Sequence, residues 1–177
     1  MSTLQVNTIN ENSSGSGVTI DGVLIKDSKL ASGTGNVLQV VTGTDNTETS
    51  IANTSYQATG LSASITPSST SSKILVVANL NGLYKTGSNA VSTKLLRGST
   101  DIGTIESMNT YTDSTATEGA GASVSYLDSP NTNSAVTYKI QFASISGANV
   151  MINIRWNSSY TTHSTMTLME IAGWFLI

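Results

Sequence analysis

The chain has 177 residues, eight basic against eleven acidic side chains, a net charge of −3, a single histidine and no cysteine. Disulfides, thiolate metal sites and cysteine nucleophiles are therefore excluded, and no basic cluster offers a footprint for nucleic acid. Mean hydropathy is +0.01 and the longest apolar run is Ile74–Ala78, far short of the roughly 20 residues that carry a helix across a bilayer, so membrane insertion is not expected.

Only 11% of residues are charged, where an average soluble domain carries roughly 25%. Ser, Thr and Asn fill the wet positions that Lys and Glu take on helical surfaces, and those residue types suit strands and turns. Along the chain, Leu4, Val6 and Ile9 outline a short strand, followed by a Ser-Gly break over 12–17. Val18-Thr19-Ile20 and Val23-Leu24-Ile25 flank Asp21-Gly22, a strong short-range hairpin signal because both central residues of the turn must tolerate positive φ. An isolated hairpin is marginal in water, so this one is expected to need a partner. The opening residues have neither a basic patch nor an apolar stretch of the signal-peptide kind, and export by that route is not expected. Ala31–Gly35 reads as a linker.

From Asn36 onward the period-two signal dominates. Val37–Val41 is a short apolar run, and Leu61, Ala63 and Ile65 alternate with Ser and Thr up to Pro67. Ile74–Ala78 is apolar at every position, which predicts a central strand covered on both faces, turned by Asn81-Gly82. Val91, Thr93 and Leu95 mark the next strand, ended by Gly98. Thr104–Gly121, polar and Thr-rich, reads as a long loop. Val124 and Tyr126 mark a strand with Tyr126 in the core; Val136–Phe142 alternates cleanly, as does Val150–Trp156. A last strand over 166–177 ends in Trp174-Phe175-Leu176-Ile177. Each large side chain there gains about 1.5–3 kcal/mol on burial, so this strand is expected inside its own sheet with part of its apolar surface against symmetry mates. Glu170 within it is expected to pair with Arg155 or Arg97, or to lie at an edge. No segment shows helical periodicity. Seven or more short strands at near-regular spacing predict an all-β sandwich or barrel.

Chemistry-bearing constellations are sparse. His163, the sole histidine, sits in a polar stretch with no nucleophile motif beside it. Asp45 with Glu48, Glu106, and Asp113 with Glu118 are acidic but match no calcium loop. Gly15-Ser16-Gly17 and Gly119-Ala120-Gly121 lack the Lys-Ser/Thr of a phosphate loop. A glycan-cleaving enzyme would need two carboxylates facing one another across a groove, and no such pair is apparent. No catalytic residue, metal ligand or cofactor is assigned. Tyr111, in the long polar stretch, is the best candidate for stacking on a sugar ring.

The opening Met1–Ile9 and the segment Gly17–Ile25 resemble the N-termini of tail-fibre-like and other structural proteins of tailed phages. Thr59–Pro67 continuing through Ser72–Val76, Leu96–Thr100, Tyr126–Pro130 and Leu168–Ile171 are similar to a module recurrent in such proteins, and Ala172–Ile177 is similar to the last strand of C1q/TNF-like jelly rolls, which associate as trimers about an apolar axis. The resemblance implies a non-enzymatic virion protein: a homotrimeric short fibre, knob or capsid decoration, assembled in a bacterial cytoplasm and bound to other virion proteins of head or tail. Residues 1–35 would be the attachment segment, through Leu4, Val6, Ile9, Val18, Ile20, Val23 and Ile25. Residues 36–177 would form a jelly roll whose core or trimer packing involves Trp156, Ile171, Trp174, Phe175 and Ile177. The alternative it leaves open is a receptor-binding adhesin gripping host surface glycans, with Tyr111 at the contact.

Overall fold

The computed structural model describes residues 18–20, 23–26, 29–30, 37–154 and 162–173, the first three stretches as backbone only. The described residues are all strand, turn or irregular chain, with no helix among them. At the start, β1 (Val18–Ile20), β2 (Val23–Lys26) and β3 (Lys29–Leu30) form a separate antiparallel sheet. Ile20 pairs with Val23, the register that a two-residue Asp-Gly connection imposes. β3 adds a third strand that the hairpin signal did not announce.

The remaining strands are β4 (Val37–Asp45), β5 (Thr49–Ile51), β6 (Gln57–Ile65), β7 (Lys73–Lys85), β8 (Asn89–Arg97), β9 (Thr100–Thr112), β10 (Glu118–Asp128), β11 (Val136–Ser144), β12 (Val150–Ile152) and β13 (Ser164–Ile171). They build two antiparallel sheets packed face to face, a jelly-roll-like sandwich. In the first sheet β10 runs along one edge of β7, β13 and β12 lie along the other, and β4 and β5 lie beyond those. The second sheet has the order β6-β11-β8-β9.

Alternation fixes which residues meet between the sheets. Ile74, Val76, Ala78 and Leu80 of β7, with Met166 and Leu168 of β13, face Leu61 and Ile65 of β6, Val91 and Leu95 of β8, and Tyr138, Ile140 and Phe142 of β11 in one continuous core. These side chains are fully or almost fully buried, and their removal from water is the main stabilising term.

Five expectations change at this level. Ile74–Ala78 is central, but Leu75 and Val77 face outward and are only half-buried; the strand buried on both sides is β8, where Ala90, Ser92 and Leu96 are buried as well as Val91, Thr93 and Leu95. Ser92 is sheltered by Tyr56, whose Oη lies 2.6 Å from the Ser92 hydroxyl. Asn81-Gly82 makes a bulge inside β7 rather than a turn, with Gly82 at φ +60°, because β10 and β12–β13 pair on both sides and keep the strand running. Thr104–Gly121 is mostly strand: β9 and β10 are joined by residues 113–117 alone. Both are outermost strands, wet on much of their surface, so their pairing leaves no hydropathy signature. Tyr126 is 37% exposed rather than core. Finally, β12 ends at Ile152, and Asn153 at φ +57° redirects the chain before Ile154. Trp156, Trp174, Phe175 and Ile177 lie outside the described residues, as do Arg155, Leu4, Val6, Ile9 and the linker over 31–35.

At the β4–β6 side the two sheets nearly touch. A Cβ on Gly43 would lie 2.0 Å from the Ser62 carbonyl oxygen and 3.1 Å from the Ala63 Cβ. Gly in a strand ordinarily weakens it, so Gly→Ala would help were there room; here the clash with backbone decides the sign. Gly43→Ala is expected to destabilise by about 1–3 kcal/mol or more, in the manner of overpacked sites, read as a lower midpoint in urea unfolding. A neutral or raised midpoint would show that the sheets can part freely at this edge.

Candidate functional site

The ionisable groups that the fold turns inward are held by the protein itself. Asp128, at the end of β10, accepts from Arg97 Nη1 at 2.9 Å through both oxygens and from Tyr138 Oη at 2.6 Å. Arg97 belongs to β8 and Tyr138 to the neighbouring β11, where the two are paired in register. The cluster thus clasps one sheet to the other. Burial, with the hydrogen bond to Asp128 second, raises the Tyr138 phenol above its ordinary range.

Glu170 on β13 is completely buried. One carboxylate oxygen accepts from the Ser68 amide (2.7 Å) and hydroxyl (2.6 Å), the other from Gln39 Nε2 (2.6 Å). Its partner is therefore neither Arg97, which is committed to Asp128, nor a solvent edge. Burial alone would raise the Glu170 pKa. The hydrogen bonds from Ser68 and Gln39 outweigh that, with the Ser72 hydroxyl also favouring the carboxylate although it has no partner of good geometry, and the pKa is lowered.

At the opposite end Lys85, also buried, donates to the carbonyls of Gly87 (2.8 Å), Ser114 (3.2 Å) and Ala116 (3.1 Å) and to the Thr112 hydroxyl. This ammonium secures the tip of the β9–β10 connection. Asn153 bridges the Asp45 carboxylate (2.8 Å) and the Thr47 carbonyl (3.1 Å), while the Ser164 hydroxyl donates to its Oδ1 (2.6 Å).

The acidic residues singled out in the sequence do not converge. Glu106 accepts from the amides of Ser107 and Met108, Asp113 accepts from Tyr111, and among the described residues no three His, Asp or Glu side chains gather as metal ligands would. His163 is exposed just before β13. Tyr111 stands near the end of β9, 47% exposed, with its Oη donating to Asp113 Oδ1 at 2.5 Å. That bond and the charge of Asp113 raise its phenol pKa. Val18 and Ile20 are in β1, and Val23 and Ile25 in β2. Ile171 ends β13, half-buried.

Exposed apolar side chains concentrate where the sandwich begins. Val37, Leu38 and Val40 of β4 and Leu127 of β10 are all well exposed. The short segments that carried the phage resemblance contribute to this same end: Arg97, Asp128, Ser129 and Glu170 come from three of them, and Lys73 Nζ, from a fourth, donates to Ser129 Oγ at 2.6 Å. No isolated motif signals that convergence; only the register assembles it. No protein-family model and no curated protein matches the chain.

Glu170 yields a pH prediction with a definite sign. A carboxylate whose pKa is lower folded than unfolded stabilises the fold above its ordinary value, 4.5, and loses that contribution as pH falls through the lower folded value. Glu170→Gln should therefore be less stable than the parent near neutrality, with the gap closing below pH 4.5. Urea unfolding of both proteins across the acid range checks this; a gap that is constant or widens on acidification would contradict it.

Proposed function

We propose that this chain is a non-enzymatic structural protein of a bacteriophage virion, a homotrimeric surface appendage (short fibre, knob or capsid decoration) held by its N-terminal segment and displaying the sandwich. The observation that carries this reading is the division into two β units of very unequal means. The sandwich has a continuous core. The sheet before it has strands of only three, four and two residues, too little paired backbone to be stable without something to pack on. A segment of that kind is suited to docking on a larger body.

Two further features support the reading. The buried ionisable groups Asp128, Glu170 and Lys85 are bonded to other parts of the chain, and the exposed large apolar residues other than Ile145 lie on strands. The segments resembling phage structural proteins contribute Arg97 and Asp128 of the clasp and Glu170 itself, while Tyr138 and Gln39 come from outside them. On this reading the partners are other copies of the chain and other virion proteins, of head or tail, with assembly in the bacterial cytoplasm and no cofactor, nucleic acid or membrane involved. The C1q/TNF-like character of the jelly roll belongs to the same proposal.

Exposure of Tyr111 at the β9–β10 end favours a second reading, a host-receptor adhesin whose strand tips grip surface glycans. Aromatic faces at exposed tips suit sugar rings, and the Asp113 bond presets the orientation of the phenol.

Light scattering on the purified chain is expected to give the mass of a trimer, and a monomer at micromolar concentration would defeat the main reading. Deleting residues 1–35 should leave the sandwich folded and abolish incorporation into particles; normal loading would remove the docking role of that segment. For the second reading, Tyr111→Ala should reduce binding to host cells or lipopolysaccharide by tenfold or more with folding unchanged. Undiminished binding would rule Tyr111 out as the contact.

A further inference from the structure

At one end of the six-stranded sheet the usual arrangement of polar and apolar residues is reversed. Gln39, Glu170, Ile74 and Asp128 are register neighbours across β4, β13, β7 and β10. This row faces inward: Ile74, Glu170 and Asp128 are buried, and Gln39 donates to Glu170. The next row, Val40, Met169, Leu75 and Leu127, is in register across the same four strands and faces outward. Its flanks are 56% exposed at Val40 and 57% at Leu127, with Leu75 and Met169 half-buried between them. On three of the four strands a polar residue is turned into the protein while its apolar neighbour is turned out. A one-residue slip would exchange the two rows, yet the hydrogen bonds of Glu170 and Asp128 hold this register.

Apart from Lys73, the described strand residues on the rest of that face are uncharged. Beyond the apolar row come Ser125, Val77, Thr167 and Thr42, again in register. The charged group on the apolar side is Lys73, whose ammonium is bound to Ser129. The outer face of the four-stranded sheet differs: it carries Lys139 and the Lys94–Asp101 pair at 3.3 Å, with Lys94 Nζ 4.2 Å from the centre of the Tyr56 ring. One face is built for water and the other is not.

We infer that the outer face of the six-stranded sheet, centred on the row Val40–Met169–Leu75–Leu127, is the contact between copies of this chain. Charge complementarity selects this occupant. Among the described strand residues this face has no exposed carboxylate and one committed ammonium, which gives a charged partner nothing to pair with, whereas the same face of neighbouring copies can converge about a threefold axis without burying an unpaired ion. The area agrees. β7 has thirteen residues, about 43 Å at the strand rise, and is flanked by β10 throughout, by β13 and β4 over Lys73–Asn79 and by β12 and β5 at Tyr84–Lys85, about 19 Å abreast; the footprint, at most about 800 Å², is of the order that each partner contributes to a standard stable interface. The face is also continuous with Val37, where the chain arrives from the segment that would dock on the particle. This inference rests on the self-assembling reading above and specifies the surface that reading requires.

Sedimentation velocity of the full-length chain over a micromolar concentration series tests it, using Val40→Lys/Leu127→Lys against Lys139→Glu on the opposite sheet. Both lysines replace exposed residues, so the folded protomer should retain its circular dichroism. Association should weaken at least about 100-fold, each charge forced into an apolar contact being worth about tenfold or more, while Lys139→Glu assembles like the parent. If the parent is assembled and the lysine pair assembles equally well, the face is wrong and self-assembly stands. Dissociation on removing residues 174–177, with the lysine pair unaffected, would transfer the contact to that terminal segment and overturn the assignment. A parent chain that is monomeric throughout would defeat the self-assembling reading itself, and this inference with it. Should the lysine pair misfold, Val40→Ser/Leu127→Ser decides the matter by the same readout, with roughly tenfold weakening expected and unchanged assembly overturning the inference.

Discussion

Backbone pairing on both edges of β7 is the constraint from which the rest of the sandwich follows. β10 occupies one edge from Ile74 to Lys85, and β13 and β12 share the other. A strand saturated on both sides can place its side chains only above and below the sheet. Ile74, Val76, Ala78 and Leu80 therefore share one face and enter the core, and the chain absorbs its mismatch with β10 as a bulge at Asn81-Gly82 instead of turning. Once β7 is set, the register of β13 and β4 is set through it, and with that the depth of every residue on the sheet.

The same constraint places the polar groups. Because Ile74 is in register with both Asp128 and Glu170, two carboxylates enter the end of the sandwich side by side with an apolar residue. Neither could remain there as an unpaired charge. Arg97 and Tyr138 from the facing sheet satisfy the first, and Ser68 and Gln39 satisfy the second. These bonds do more than neutralise charge: they tie β8 and β11 to β10, and the β6–β7 connection to β13. Breaking one partner would leave a buried ion, so the two clusters specify one alignment of the sheets more strongly than apolar packing alone would.

The link to function lies in what that alignment leaves outside. Turning Asp128, Glu170 and Gln39 inward obliges Leu127, Met169 and Val40 to turn outward, beside Leu75. An apolar row spanning four strands is tolerable if it is covered, and the self-assembly proposed above would supply a cover. The Ser- and Thr-rich character of the chain is compatible with that proposal: uncharged hydroxyls in the neighbouring rows can face either water or another uncharged surface, with a smaller desolvation cost than ions would carry.

The sequence alone determined the class of fold. Alternation in Leu61–Ile65, Val136–Phe142 and Met166–Leu168 is a direct imprint of the pleat, and Asp21-Gly22 between the strand-prone triplets Val18-Thr19-Ile20 and Val23-Leu24-Ile25 specifies its own hairpin, since both signals are local. What only the tertiary structure decided is anything that depends on which strands become neighbours. β9 and β10 are hydrogen-bonded but wet on much of their surface, so Thr104–Gly121 has no apolar rhythm to betray them. Leu75 and Val77 look as buried in sequence as Ile74 and Val76, because hydropathy does not tell a covered face from an uncovered one. Glu170, Asp128 and Arg97 are scattered along the chain, and their partners follow from register across β13, β7 and β10. Pairing between strands distant in sequence is chosen by the summed burial of the whole core, a quantity that no single segment carries.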